Sequence, residues 1–218
     1  MYTIGLIDDE ESQLKAIRRT IKTNASKEIS YDFKSYILSD DIDNLVKKVF
    51  SEVMQDIIDH KISALIVDYK IIVRTTKIKG TDILQKIQDK VPKFPVIVLT
   101  EVVRESTEPD FVDADKVYKK KDFFKLESDY SKEKVFNIFD SMKKYNGQRD
   151  SIELSIEDLK GKLVQGSVGR EAIGSILELE SRLDDFVPTD QTQIDKIFDE
   201  EKAKEIVNLI ERANALLE

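Results

Sequence analysis

The sequence predicts an α/β fold: a five-stranded parallel sheet with helices on both faces, followed by an α-helical C-terminal region. Three observations predict it. Five short apolar runs alternate with five segments of helical periodicity, the pattern of repeated strand–helix units. Three of those runs are apolar almost throughout, as strands buried on both faces are. Beyond residue 146 the strand-like runs stop and the pattern becomes helical and acidic.

Taken in order, Tyr2–Ile7 is a first strand that ends in Asp8 and Asp9. Glu11–Thr23 places Leu14, Ile17 and Ile21 at helical spacing. Ser30–Leu38 alternates as a second strand, and Ser39 is a candidate cap for a helix whose stripe is Leu45, Val49, Val53 and Ile57. Ser63–Val67 is a third strand, again ending in an acid, Asp68. Gly80–Lys90 is a helix through Ile83, Leu84 and Ile87, and Phe94–Thr100 a fourth strand. Ser106–Ala114 is a short helix at best, with Pro109 in its first turn. Lys116–Lys120 is a brief fifth strand, and Ser131–Tyr145 a helix through Val135, Ile138, Phe139 and Met142. Asn146-Gly147-Gln148 reads as a break, so the expected domains are 1–146 and 147–218. In the second, Ser155-Ile156-Glu157-Asp158 looks like a helix start. Ile173, Ile176, Leu177, Leu183 and Phe186 are expected to share a face, and Pro188-Thr189-Asp190 to open a last helix striped by Ile194, Ile197, Phe198, Ile206, Ile210, Ala213 and Leu217.

In a parallel sheet of this kind, ligands bind beyond the carboxyl ends of the strands. Three expected strands end there in polar groups, Asp8-Asp9, Asp68 and Thr100, and the fifth ends in lysines. Residues far apart in sequence therefore converge on one rim. One acid at a strand end often only caps the next helix; four such strand ends together point to chemistry.

The segments Leu6-Ile7-Asp8-Asp9-Glu10, Ala64-Leu65-Ile66-Val67-Asp68, Pro95-Val96-Ile97-Val98-Leu99-Thr100 and Ala114-Asp115-Lys116-Val117-Tyr118-Lys119-Lys120 occur in this order. Jointly they resemble the receiver domain of two-component response regulators, over roughly residues 1–146. The resemblance implies a flavodoxin-like (βα)5 receiver with strand order 2-1-3-4-5 and a phosphoprotein whose acceptor is Asp68. It implies Mg²⁺ held by Asp8, Asp9, Asp68 and the backbone carbonyl of Lys70. Mg²⁺ takes about six oxygens and keeps several waters, which suits three carboxylates and a carbonyl. Thr100 and Lys120 would contact the phosphoryl oxygens, by hydroxyl and by ammonium. The phosphate would come from a partner histidine kinase or phosphotransfer protein. The chemistry implied is at most autocatalytic phosphoryl acceptance and self-dephosphorylation, not that of a classical enzyme.

The chain departs from the family pattern in three places. Eleven residues separate Asp68 from Gly80, about four more than usual, with basic Arg74, Lys77 and Lys79 among them. They read equally as a lid over phosphate or as a plain loop insertion. Glu101 follows Thr100 where a small residue is usual; a carboxylate there repels phosphate unless it points outward. The lysine is ambiguous among Lys119, Lys120 and Lys121, with strand alternation allowing one or the other parity to face the site. Tyr118 or Val117 would occupy the position of the aromatic that reports phosphorylation. His60, the single histidine, is expected at the surface.

Composition narrows the function classes. Residues 149–218 carry nine Lys and Arg against 17 Asp and Glu, while residues 1–148 balance at 26 each. An acidic C-terminal third is a poor match for nucleic-acid phosphates, and it contains no basic recognition helix. Gly166-Ser167-Val168-Gly169-Arg170 lacks the lysine and hydroxyl of a P-loop and reads as a turn. No apolar run spans a membrane, no secretory signal is visible, and Cys is absent, so a cytoplasmic protein is expected. The C-terminal helices are free to pack on each other, on the receiver or on a second copy as a homodimer. The leading expectation is a Mg²⁺-dependent response regulator that signals through protein contacts, including those of an output protein. A degenerate pseudo-receiver serving as constitutive scaffold or dimerisation module is the alternative. A phosphatase of the haloacid-dehalogenase type needs an acid two residues after its nucleophile, where Lys70 stands.

Overall fold

A computed structural model of the chain describes residues 1–36, 45–73, 76–101, 114–169 and 171–188. Five strands form one parallel sheet: β1 (Tyr2–Ile7), β2 (Tyr31–Ser35), β3 (Ala64–Asp68), β6 (Val96–Thr100) and β7 (Val117–Lys119), in the order β2-β1-β3-β6-β7. The strands between are a separate antiparallel pair, β4 (Lys70–Val73) and β5 (Thr76–Lys79). The helices are α1 (Glu11–Asn24), α2 (Leu45–Ile58), α3 (Gly80–Gln88), a single turn α4 (Lys120–Phe123), α5 (Asp129–Val164) and α6 (Glu171–Leu183). Counting only the parallel strands, the order is 2-1-3-4-5, compatible with a flavodoxin-like doubly wound sheet.

Side-chain alternation divides the core between the two faces of the sheet. Ile4, Leu6, Ala64, Ile66, Ile97 and Leu99 face α1 and the first half of α5. Ile7, Leu65, Val67, Val96 and Val98 face α2 and α3. β3 and β6 are buried at every position, as their unbroken apolar runs predict. Within the second face, Asp56 of α2 accepts hydrogen bonds from Lys34 and from the hydroxyl of buried Tyr36, tying β2 to that helix.

The expected break at Asn146-Gly147-Gln148 is absent. Helix α5 runs through it without interruption for 36 residues. Ser128 caps its start by accepting from the Ser131 amide at 3.1 Å. The helix ends where Gly166 takes a left-handed φ of 67° and the Ser167 amide bonds back to the Lys162 carbonyl. Packing overrides the local signal. Val135, Ile138, Phe139 and Met142 seat the first half on one face of the sheet. Tyr145, Ile152 and Ile156 then carry the same helix past the amino ends of the strands into the other core. There Tyr145 packs edge-on against Phe94, and Asn146 bonds to Ser63 just before β3. A mid-helix glycine costs roughly 1 kcal/mol, less than burying one large apolar side chain returns. The Ser155–Asp158 helix start is likewise absent: Ser155 lies mid-helix and its hydroxyl donates to the Ser151 carbonyl.

Helix α6 folds back on α5, and only part of its expected stripe holds. Ala172, Ile176 and Phe186 are buried, with Leu179 and Leu183 packed beside them, while Ile173 and Leu177 are exposed. The inward face is 172-176-179-183, one residue round the helix from the expected one. The Tyr145 hydroxyl donates to the Phe186 carbonyl at 2.5 Å, and the Lys93 amide to the Asp185 carbonyl at 2.9 Å. Residues 147–187 are thus part of the first compact unit, Met1–Val187, rather than a domain beginning at 147. The second unit is Pro188–Glu218. The helix expected from 188 onward, the short helix at 106–114 and the Ser39 cap lie outside the described residues. No described helix is long and apolar enough to cross a membrane.

Nothing lies within 4 Å of the position a Cβ would take at Gly147. Gly147→Ala is therefore expected to raise unfolding stability by about 0.5–1 kcal/mol in urea titrations, through helix propensity alone. No gain, or a loss, would argue against an unbroken helix.

Candidate functional site

Strand register brings the rim together. Ile7 pairs with Val67, so Asp8 follows beside Asp68 at the end of the ladder. Asp68 pairs with Leu99, and Thr100 is the next residue of β6. Thr100 pairs with Lys119, and Lys120 follows as the first residue of α4. Four adjacent parallel strands thus deliver Asp8, Asp68, Thr100 and Lys120 to one edge, all buried.

Asp8, Asp9 and Asp68 each offer a carboxylate oxygen, and these oxygens lie within 4.8 Å of one another. The Lys120 ammonium stands 2.9 Å from Asp68 Oδ1 and 3.6 Å from Asp8 Oδ2. Asp8 Oδ1 accepts the Glu10 amide at 2.9 Å, and Asp9 Oδ2 accepts the Ile72 amide at 3.2 Å. Asp8 Oδ2 is buried with no hydrogen-bond partner. A buried carboxylate oxygen left in that state is costly. Burial pushes the Asp8 carboxyl from 3.8 up to about 6; the Glu10 amide and Lys120 pull against it, while Asp68 and Asp9 add to it. Asp68 is also raised, by burial first, with Lys120 opposing. For Lys120 burial favours the neutral amine, but Asp68 and Asp8 outweigh it and the group is held charged.

This donor set fits a hard divalent cation. The ligand atoms are all oxygen, two of the three acids are buried, and the orphaned Asp8 oxygen lies in the cluster. Lys70, whose carbonyl completes the expected set, begins β4 two residues after Asp68. A cavity of about 70 Å³ lies over the rim, lined by Asp68, Tyr69, Lys70, Thr100, Glu101 and Lys120.

The ambiguities left by the sequence resolve in the fold. Lys119 and Lys121 are exposed, and Lys120 turns inward because α4 begins there. Glu101 is exposed at the cavity mouth. Tyr118 is buried among Phe123 and the α1–α5 core, with Lys134 5.3 Å from its ring centre, and Val117 is buried in the opposite core. His60 lies in the turn after α2 with a left-handed φ of 55° and pairs with Glu153 at 3.5 Å, before the amino end of β3 rather than at the rim.

The stretch between Asp68 and Gly80 is a β-hairpin, which the sequence reading missed. Lys70 pairs with Lys79, and Ile71 with Ile78. The missed signal is the run of β-branched residues from Ile71 to Ile78, a strand pattern on both arms. Because the arms pair, the chain returns to where it left: the Gly80 amide donates to the Tyr69 carbonyl at 2.8 Å. Gly80 then lies so close to β3 that an added Cβ would sit 2.2 Å from the Asp68 carbonyl oxygen. A scan of protein-family models matches none to this chain, and no curated protein matches it in sequence.

Two outcomes follow from this geometry. Gly80→Ala is expected to cost about 1–3 kcal/mol by chemical denaturation, since the clash is with backbone and cannot be relieved by a rotamer. In the metal-free protein, folded Asp8 holds a proton between pH 3.8 and about 6 that the unfolded chain has released. Stability on this account falls as pH rises through that window and is flat above it. Denaturation midpoints should show the fall, and Asp8→Asn should flatten it.

Proposed function

We propose that this chain is a two-component response regulator whose receiver lies within the compact unit Met1–Val187 and accepts a phosphoryl group on Asp68 in a Mg²⁺-dependent reaction. The observation that carries the reading is Asp68 itself. Its carboxylate clusters with those of Asp8 and Asp9 and pairs with the Lys120 ammonium 2.9 Å away. A carboxylate nucleophile, a cation and an oxygen-only ligand set are what phosphoryl transfer to an acid requires.

Mg²⁺ held by Asp8, Asp9, Asp68 and the Lys70 carbonyl would supply positive charge to offset the repulsion between these carboxylates and an incoming phosphoryl group. The remaining work falls to the side chains. A carboxylate oxygen of Asp68 attacks phosphorus in line. The bond from phosphorus to the donor imidazole nitrogen breaks, its electron pair leaves with the imidazole, and an acyl phosphate remains. Lys120 exchanges part of its pairing with Asp68 for the phosphoryl oxygens, and the Thr100 hydroxyl donates to another. No general base is needed when Asp68 attacks as the carboxylate, the form that Lys120 beside it favours. Water attack on the acyl phosphate would return the protein to its starting state.

The donor is a histidine kinase or a phosphotransfer protein. Signalling is by protein contact, either with an output protein or within a homodimer, and not by DNA binding. The acidic character of residues 149–218 supports that reading. The site belongs to the cytoplasm on this view, where such donors act.

A second reading, a pseudo-receiver serving as constitutive scaffold, draws on one observation. The carboxylates of Asp68 and Asp9 are already engaged from within, by Lys120 and by the Ile72 amide. Incubation with acetyl phosphate separates the two. Response-regulator behaviour gives Mg²⁺-dependent, acid-stable and base-labile labelling that disappears in Asp68→Asn. Unchanged labelling in that variant would sink the assignment to Asp68, and no binding of Mg²⁺ or beryllofluoride would favour the scaffold.

A further inference from the structure

We infer that the hollow between the middle of α5 and the end of α6 is a binding site for a dicarboxylic α-amino acid, with Lys93 and Arg182 on its carboxylates and Asp185 on its ammonium. The hollow lies at the amino ends of the strands, away from the rim, and the inference stands apart from the reading of Asp68. Three features carry it.

The first is the hollow itself. Its volume is about 480 Å³, within the range of roughly 300–1,000 Å³ that small-ligand sites occupy. Three segments wall it. Lys93 comes from the loop between α3 and β6, Gln148 and Ser151 from α5, and Arg182 and Asp185 from the last turn of α6 and the turn after it. The segments are tied to one another: the Lys93 amide donates to the Asp185 carbonyl at 2.9 Å, and the Tyr145 hydroxyl donates to the next carbonyl, that of Phe186. Ile152 and Phe186 are buried and give the hollow an apolar lining. Gly147 keeps the α5 wall low, with open space where a side chain would stand.

The second is charge left unmatched. Elsewhere on α5 and α6, Lys144, Arg149, Lys160 and Lys162 each hold an acid within 2.8 Å. Lys93, Arg182 and Asp185 line one hollow, yet among the described residues no ion pair or hydrogen bond engages the ammonium, the guanidinium or the carboxylate. Opposite charges that share a cavity without touching are matched by a ligand that reaches each of them.

The third is the count and sign of those charges. Two cations and one acid are complemented by two carboxylates and one ammonium, the charges of glutamate or aspartate. Arg182 suits a carboxylate through its paired N–H groups. A plain dicarboxylate or a phosphate meets repulsion from Asp185. An amino acid with an uncharged side chain leaves one cation unmatched. Ser151 and Gln148 can each donate to a carboxylate or accept from an ammonium. All three charged groups are exposed, so each pair is weak alone, and the three acting together set an affinity on the order of millimolar.

The test is a titration of the full chain, followed by backbone amide chemical shifts at constant ionic strength, with sodium L-glutamate and separately with glutarate, which lacks the ammonium. Saturable shifts are expected at Lys93, Gln148, Ser151 and Asp185, with glutarate binding roughly fivefold more weakly than glutamate. Arg182→Gln should weaken both ligands about tenfold. Asp185→Asn should bring the two affinities together. Gly147→Met, which leaves every charge in place and favours the helix, should block both ligands while the spectrum keeps its dispersion. Shifts that do not saturate overturn the inference, as do equal affinities for glutamate and glutarate in the unaltered chain. Unchanged affinity in Gly147→Met, or shifts that cluster at the rim instead, overturn it as well. None of these outcomes bears on Asp68.

Discussion

The arrangement at the rim depends on one buried cation. Asp8 and Asp68 sit side by side at the ends of adjacent strands, both withdrawn from water. Two carboxylates in that position repel each other and lose solvation together. The Lys120 ammonium, within 3.6 Å of both, favours their charged forms, as the Glu10 amide does at Asp8. Its position in turn depends on β7 pairing in register with β6 and on a helical turn that starts at Lys120 itself. Had the strand continued one residue further, alternation would have governed which lysine faced inward. The compensation is incomplete, since Asp8 remains elevated and one of its oxygens has no hydrogen bond. The unmet demand is for positive charge coordinated by oxygen.

The hairpin meets a second constraint without disturbing the first. An insertion directly after Asp68 could have displaced the start of α3. Pairing Lys70 with Lys79 closes the insertion on itself, and Gly80 resumes the path beside the Asp68 carbonyl. The absence of a side chain at residue 80 is what permits that approach. Ile71 and Ile78, paired and buried, anchor the hairpin to the α2–α3 core. The hairpin is therefore held at both its base and its inner face, with its cationic side turned away from that core.

At the opposite end of the sheet, α5 and α6 close the amino ends of the strands. Tyr145 is the pivot: it contacts Phe94, Phe186 and the Phe186 carbonyl at once. Up to Val187 the helical extension shares the α2–α3 core, and no linker separates α6 from the sheet. Ile173 and Leu177 remain outward on α6.

Much of the fold was legible in the sequence because it is set by local periodicity. Unbroken apolar runs marked β1, β3 and β6 as central strands, and the 3.6-residue stripes of α1 and α3 are the faces they bury. The residue types at the strand ends, Asp8, Asp9, Asp68, Thr100 and a lysine, were legible for the same reason: a strand's end is visible where its apolar run stops. What the sequence could not decide were choices made by distant contacts. Gly147 reads as a helix break, yet packing against Phe94 and Phe186 outweighs the roughly 1 kcal/mol that a glycine costs. Ile176 rather than Ile173 faces inward, into the core that α6 shares with α5. Lys120 is selected from three lysines by the turn that ends β7, and the eleven-residue stretch becomes a hairpin because its arms must meet again at Gly80. By itself the sequence determined which segments are strands and helices and which chemical groups end them; only the tertiary structure decided which of those groups face one another, because burial and pairing energies between distant residues exceed the local preferences that can be read along the chain.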